Sequence, residues 1–129
     1  MNFVFDGESP PVQVVQASVE LPLCERDLSD LDPEDRVVAL VRLETEDRTQ
    51  RFDTAHGPLV RLSLIRMGPD DHRLVFTNHH ILLDGWSAPL LLKELLVLYG
   101  TEADTGVLPP VRPYRDYVRW LVQQDPAPA

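Results

Sequence analysis

An alternating apolar-polar run, Leu59 to Met67, and a second run, His72 to His80, flank Gly68-Pro69-Asp70-Asp71, and this arrangement constrains the fold more than any other stretch of the chain. In the first run, Leu59 to Met67, Val60, Leu62 and Leu64 fall on one face and Arg61 and Ser63 on the other. The Gly-Pro-Asp-Asp tetrad is strong turn chemistry, so the second run, His72 to His80, is predicted to pair back as the other strand of a hairpin. Strand side chains alternate sides, which groups Leu74, Phe76, Asn78 and His80 opposite Val75, Thr77 and His79.

The flanking segments supply helices. Val12 to Leu21 is rich in valine, bounded by prolines, and reads as extended; Cys24 to Asp30 reads as a polar connection. Asp32 is positioned to cap a helix, Pro33 suits its first position, and Glu34 and Asp35 favour the positive end of the dipole. That helix is predicted to run to about Arg51, with Val37, Val38, Leu40 and Val41 as its apolar stripe and Glu44-Thr45-Glu46-Asp47 as a solvated face. Gly57-Pro58 resets the chain before the hairpin. After Asp84-Gly85, Ser87 is a candidate N-cap for a largely buried helix over Leu90 to Tyr99. Gly100 to Pro113 is a connection, and Tyr114 to Gln124 reads as a last helix carrying Tyr114, Tyr117, Val118 and Leu121 at helical spacing. The expected architecture is mixed α/β, one sheet covered by helices, over residues 1–124, with 125–129 as tail or linker.

Composition narrows the functional classes. The chain has 129 residues, 43% hydrophobic and 26% charged, as expected of one globular domain. Acidic residues outnumber basic ones 21 to 12, for a net charge of −9, which argues against nucleic acid and against an anionic membrane surface. No run approaches the roughly 20 apolar residues of a membrane span, and the start shows no signal-peptide pattern. The single cysteine, Cys24, excludes an internal disulfide and a thiolate cluster, so a cytoplasmic setting is expected.

The run His79-His80-Ile81-Leu82-Leu83-Asp84-Gly85-Trp86-Ser87 carries the candidate chemistry. A metal held by His79, His80 and Asp84 is disfavoured because adjacent strand side chains point to opposite faces. A serine nucleophile, Ser87 activated by His80, lacks the Gly-x-Ser-x-Gly elbow. The third reading is general-base or hydrogen-bonding catalysis by one imidazole, which is partly neutral near neutral pH and can accept a proton from an attacking amine or hydroxyl. Asp84 would then hold the turn that aims the histidine, and Gly85 would allow the bend and a close approach. The bland alternative is that both histidines are strand-end polar residues satisfied by their neighbours.

His79-His80-x-x-x-Asp84-Gly85-Trp86-Ser87 resembles the His-His-x-x-x-Asp-Gly motif of nonribosomal peptide synthetase condensation domains. Tyr114-Arg115-Asp116-Tyr117-Val118-Arg119-Trp120 is similar to a second motif of that family, and Phe52-Asp53 with Gly57-Pro58-Leu59 also looks like it. The resemblance spans essentially the whole chain and covers the later part of the first lobe of a fold similar to chloramphenicol acetyltransferase. It implies amide-bond formation between a donor thioester and an aminoacyl acceptor, both on phosphopantetheine arms of peptidyl carrier proteins. It assigns the reaction to His80, structural roles to His79, Asp84 and Gly85, and a place on the substrate tunnel to Trp86 and Ser87. No metal and no directly bound cofactor is implied. The family's arginine partner for the motif aspartate belongs to a segment not found here, leaving Arg61 and Arg73 as substitutes for Asp84. With the second lobe also absent, the chain is expected to show little transfer alone and to self-associate through exposed sheet edges.

Three other functions compete. Epimerization domains share the double histidine and Asp-Gly, but Trp86 favours condensation. A coenzyme A-dependent acyltransferase shares the His-x-x-x-Asp-Gly spacing, but the second motif favours a synthetase. A non-catalytic assembly or binding module would use Trp86 and Trp120 as core or interface anchors.

Overall fold

The computed structural model describes residues 1–5, 7 and 12–124, so the expected tail at 125–129 lies outside the described residues. The chain divides into two compact units, Met1–Gly85 and Trp86–Ala129.

The first unit contains the predicted hairpin. Strand β4 (Val60–Arg66) pairs antiparallel with β5 (His72–Asn78), in a register that places Leu62 opposite Phe76 and Leu64 opposite Leu74. The turn closes where the Met67 and Gly68 amides donate to the Asp71 carbonyl. β5 ends at Asn78, so His79 and His80 follow the strand instead of finishing it. Two further strands at the start of the chain, β1 (Asn2–Val4) and β2 (Val12–Val14), pair antiparallel with each other. The extended segment expected over Val12 to Leu21 is thus a ladder strand only at its beginning.

The polar connection expected at Cys24 to Asp30 is instead largely strand: β3 (Leu23–Asp27) runs parallel to β4, giving the order β3-β4-β5. β3 lies at the sheet edge, and Cys24 alone of its five residues is half-buried. An edge strand needs backbone pairing but little apolar alternation, so Glu25, Arg26 and Asp27 hid it.

Helix α1 (Pro33–Thr49) provides the crossover that a parallel β3–β4 pair requires. Pro33 opens it and Glu34 and Asp35 sit in its first turn, as the sequence predicts. Asp32 caps only through its backbone: its side chain makes no cap bond, while its carbonyl accepts from the Arg36 amide at 2.9 Å. The expected apolar stripe is corrected, since Val37, Val38 and Val41 are 58%, 69% and 55% exposed. The half-buried positions include Arg36, Leu40, Leu43 and Asp47. Arg36 turns inward because its guanidinium donates to the Ser29 and Leu31 carbonyls, at 3.0 and 2.9 Å. Leu59 and Ile65 are fully buried, with Met67 and Asn2 nearly so.

The second unit holds α2 (Ser87–Gly100), a short 3-10 turn at Thr105–Val107, and α3 (Tyr114–Val122). Ser87 is the first helical residue and Trp86 occupies the cap position, so the expected Ser87 N-cap is displaced by one residue. No residue of α2 is buried, contrary to expectation. Lys93 and Glu94 interrupt the apolar run, and Leu90, Leu96 and Tyr99 are exposed. On α3, Tyr117 stacks on Trp120 with centroids 5.9 Å apart, and Tyr114 lies 5.6 Å from Tyr117.

Candidate functional site

The end of β5 and the connection after α1 form the wall of an open cleft of about 830 Å³, lined by Arg51, Phe52, Thr77, Asn78, His79 and His80 among others. Its geometry starts from the ladder. Arg61 and Thr77 are direct partners across β4 and β5, so their side chains leave the sheet on the same face. Both reach Asp47 of α1. Arg61 Nε donates to Asp47 Oδ1 at 3.0 Å, and the Thr77 hydroxyl donates to Asp47 Oδ2. Arg61 Nη2 also donates to the carbonyls of Asp47 and Gln50, at 2.8 and 3.1 Å.

Asp47 is therefore not part of a solvated face: the Asp47 and Arg61 side chains are each only 16% exposed. Burial raises the Asp47 carboxyl pKa, but hydrogen bonds from Thr77 and Arg61, together with the Arg61 charge, outweigh it and hold the group below the usual carboxylate value. The acidic run hid this residue because three of its four members do face solvent or its margin.

The two histidines lie beyond the end of β5, so the alternation expected of a strand through His80 does not reach them. His79, two residues beyond Thr77, is half-buried, and its ring meets the Phe52 ring edge-on at 6.3 Å. Its amide donates to the Leu59 carbonyl at 3.0 Å and its carbonyl accepts from the Leu82 amide at 2.9 Å. Its Nδ1 accepts from the Ile81 amide at 3.1 Å, which places any ring proton of the neutral form on Nε2. His80 sits inside the turn so formed, exposed at the cleft. Both histidines line the cleft, His79 half-buried with its ring tied to the Ile81 amide and His80 exposed.

Asp84 and Gly85 lie beyond this turn and are exposed. The substitute arginines have carboxylates of their own: Arg61 pairs with Asp47, and Arg73 with Asp71 at 3.7 Å. Among the described residues, a Cβ built on Gly85 would meet nothing within 4 Å. Trp86 is 86% exposed and opens the second unit, followed by half-buried Ser87. Among the described residues no group of three or more histidine, cysteine, aspartate or glutamate side chains is placed to hold a metal ion. Nor is any described helix long and apolar enough to cross a membrane. Arg61, Asp47 and Phe52 are the residues around the site that sequence reasoning did not single out as a unit.

A family model described as Condensation domain matches residues 1–128. This chain belongs to the condensation-domain family. Among relatives, a linear gramicidin synthase protein from Brevibacillus parabrevis is 38% identical over 126 residues, 96% of this chain and 2% of that protein. A plipastatin synthase protein from Bacillus subtilis is 32% identical over 125 residues, 95% of this chain and 5% of that protein. Among solved structures, the EpoB NRPS cyclization-docking bidomain of Sorangium cellulosum aligns with a TM-score of 0.70 at 30% identity, over 84% of this chain and 22% of that one. The starter condensation domain of rhizomide synthetase RzmA aligns with a TM-score of 0.75 at 18% identity, over 95% of this chain and 30% of that one, a likeness of fold alone. The fold class is therefore a partial chloramphenicol acetyltransferase-like lobe with a mixed sheet. The chain spans a small fraction of the synthetases it matches and under a third of these solved structures.

Proposed function

We propose that this chain carries the histidine-bearing wall of a site that forms amide bonds between a carrier-bound acyl or peptidyl thioester and a carrier-bound aminoacyl acceptor. The observation that carries the reading is the division of labour in the pair, His79 tied into the turn by its ring and backbone and His80 exposed at the cleft. In the reaction the acceptor amine nitrogen bonds to the donor carbonyl carbon, the carbon–sulfur bond breaks, and the amine proton ends on the departing thiol. His80 accepts that proton or hydrogen-bonds to the amine as it attacks. Phosphopantetheine arms of peptidyl carrier proteins would deliver both substrates, and no group bound directly to this chain enters the scheme. The synthetase relatives support carrier proteins as partners. Alone, the chain is expected to transfer little.

The test is His80→Ala in the parent condensation domain, assayed by peptide transfer between two loaded carriers. Loss of a positioned acid–base group predicts a fall of about 100-fold or more. Transfer at the unaltered rate would remove His80 from the mechanism. Similarity to a cyclization-docking bidomain raises a second reading, condensation followed by ring closure. Product mass separates the two, because closing a heterocycle on the new amide expels a water, whereas forming the amide from the thioester releases only the thiol.

A further inference from the structure

Helix α1 is linked to the histidine turn by a chain of contacts that the proposed reaction does not use. Asp47, whose other carboxylate oxygen accepts from the Thr77 hydroxyl, fixes the Arg61 head, and Arg61 also holds the Gln50 carbonyl, two residues before Phe52. The guanidinium carbon then lies 4.0 Å from the centre of the Phe52 ring, a cation–π distance. Phe52 presents that ring at 80° to the His79 imidazole. His79 in turn accepts the Ile81 and Leu82 amides that close the turn around His80. Four side chains thus run in series from the helix to the turn, all within the first unit.

We infer that Arg61 and Phe52 are positioning residues for the histidine pair: Arg61 clamps the Phe52 ring, and that ring holds the His79 imidazole in the orientation whose Nδ1 receives the Ile81 amide. An ion pair that only fastened α1 to the sheet would need Asp47 and Arg61 but no aromatic ring between the arginine and the histidine. A planar guanidinium suits a ring face better than an ammonium does, so arginine and lysine are not equivalent at position 61. Held this way, His79 keeps one tautomer, and the turn keeps His80 at the cleft. The consequence for His80 rests on the function proposed above, whereas the clamp on His79 does not.

The experiment uses the full 129-residue chain, labelled with 15N. Long-range 1H–15N correlation of the imidazoles, followed over a pH series, reads the His79 tautomer. Amide exchange at Ile81 reads the turn, and exchange in β4 and β5 reports whether the sheet is intact. The unaltered chain should show His79 protonated at Nε2. Phe52→Leu should mix the tautomers and speed Ile81 exchange about tenfold while β4 and β5 stay protected. Arg61→Lys, which keeps the charge, should do the same, and Phe52→Tyr should restore the original pattern. The inference is overturned if Phe52→Leu, with its sheet intact, keeps the Nε2 tautomer and an Ile81 rate within about twofold of the unaltered chain. Should Arg61→Lys fail to fold, the Phe52 pair still decides. A His80 with no part in transfer would leave every one of these readouts unchanged, so failure of the proposed function is seen separately.

Discussion

Replacing Asp47 by alanine removes both carboxylate acceptors from the joint between α1 and the hairpin, stranding the Arg61 Nε and the Thr77 hydroxyl. Removing one partner of a buried ion pair typically costs about 3–5 kcal/mol, because the other charge is left without compensation. Arg61 is 16% exposed and keeps two carbonyl acceptors, at 2.8 and 3.1 Å, so the low end applies. We expect a loss of about 3 kcal/mol, with about 1 kcal/mol of it recovered separately as the cost of Thr77→Val. Arg61→Leu should cost about 2 kcal/mol in the unaltered chain and little in the Asp47→Ala background, so the double-mutant cycle should show a coupling of about 2 kcal/mol. Urea unfolding should be followed by amide exchange in β4 and β5, which flank this joint. A coupling below about 0.5 kcal/mol would place the pair with exposed salt bridges and refute the argument from burial.

The same carboxylate sets a pH dependence. Asp47 has a folded pKa below its ordinary 3.8, so its stabilisation is complete above that value and is lost as pH falls toward the folded pKa. Asp47→Asn should flatten the acid limb of a stability-versus-pH curve, and an unchanged limb would contradict the assignment. Gly57 is crowded: a Cβ there would lie 2.5 Å from Asn2 Oδ1 and 3.3 Å from the Met1 carbonyl. Gly57→Ala should therefore displace Asn2 and cost about 1–3 kcal/mol by urea titration, whereas Gly85→Ala, in open space, should cost under about 1 kcal/mol. β3 and β5 leave backbone edges on the described sheet, so light scattering over a concentration series should show self-association; a constant monomer mass would oppose it.

How legible the fold was depended on what each segment had to satisfy. The β4–β5 hairpin carries both alternation and turn residues, and its register needs nothing from elsewhere, so the sequence predicted it nearly to the residue. The start of α1 was readable for the same local reasons, Pro33, Glu34 and Asp35. β3 is defined by its partner β4, and Leu23-Cys24-Glu25-Arg26-Asp27 has no pattern from which that pairing could be inferred. The inward face of α1 was misread because Val37, Val38 and Val41 looked like a core stripe, while the hydrogen bonds of Arg36 and Asp47 decide which side turns to the protein. Hydrophobic periodicity reports what a helix is able to bury, and polar anchors can override it.

The site divides along the same line. Alternation was expected to separate His79 from His80, but both lie past the end of β5 and both line the cleft; what distinguishes them is that the His79 ring accepts a backbone amide and meets an aromatic, while His80 is exposed. What could not be read was the support. Asp47, Phe52, Arg61 and Thr77 come from four places in the chain, and only the parallel crossover from β3 through α1 to β4 brings them to one side of the sheet. In sequence Asp47 and Thr77 had ordinary explanations, an acidic helix residue and a polar strand position, while Phe52 entered only with the family resemblance and Arg61 only as a polar strand position and a substitute partner for Asp84. Their joint meaning depends on distances of 2.8 to 4.0 Å that no spacing rule contains. A motif names the residue that meets the substrate because chemistry restricts its type. The residues that aim it are restricted by geometry, and sequence patterns record geometry only where it is local.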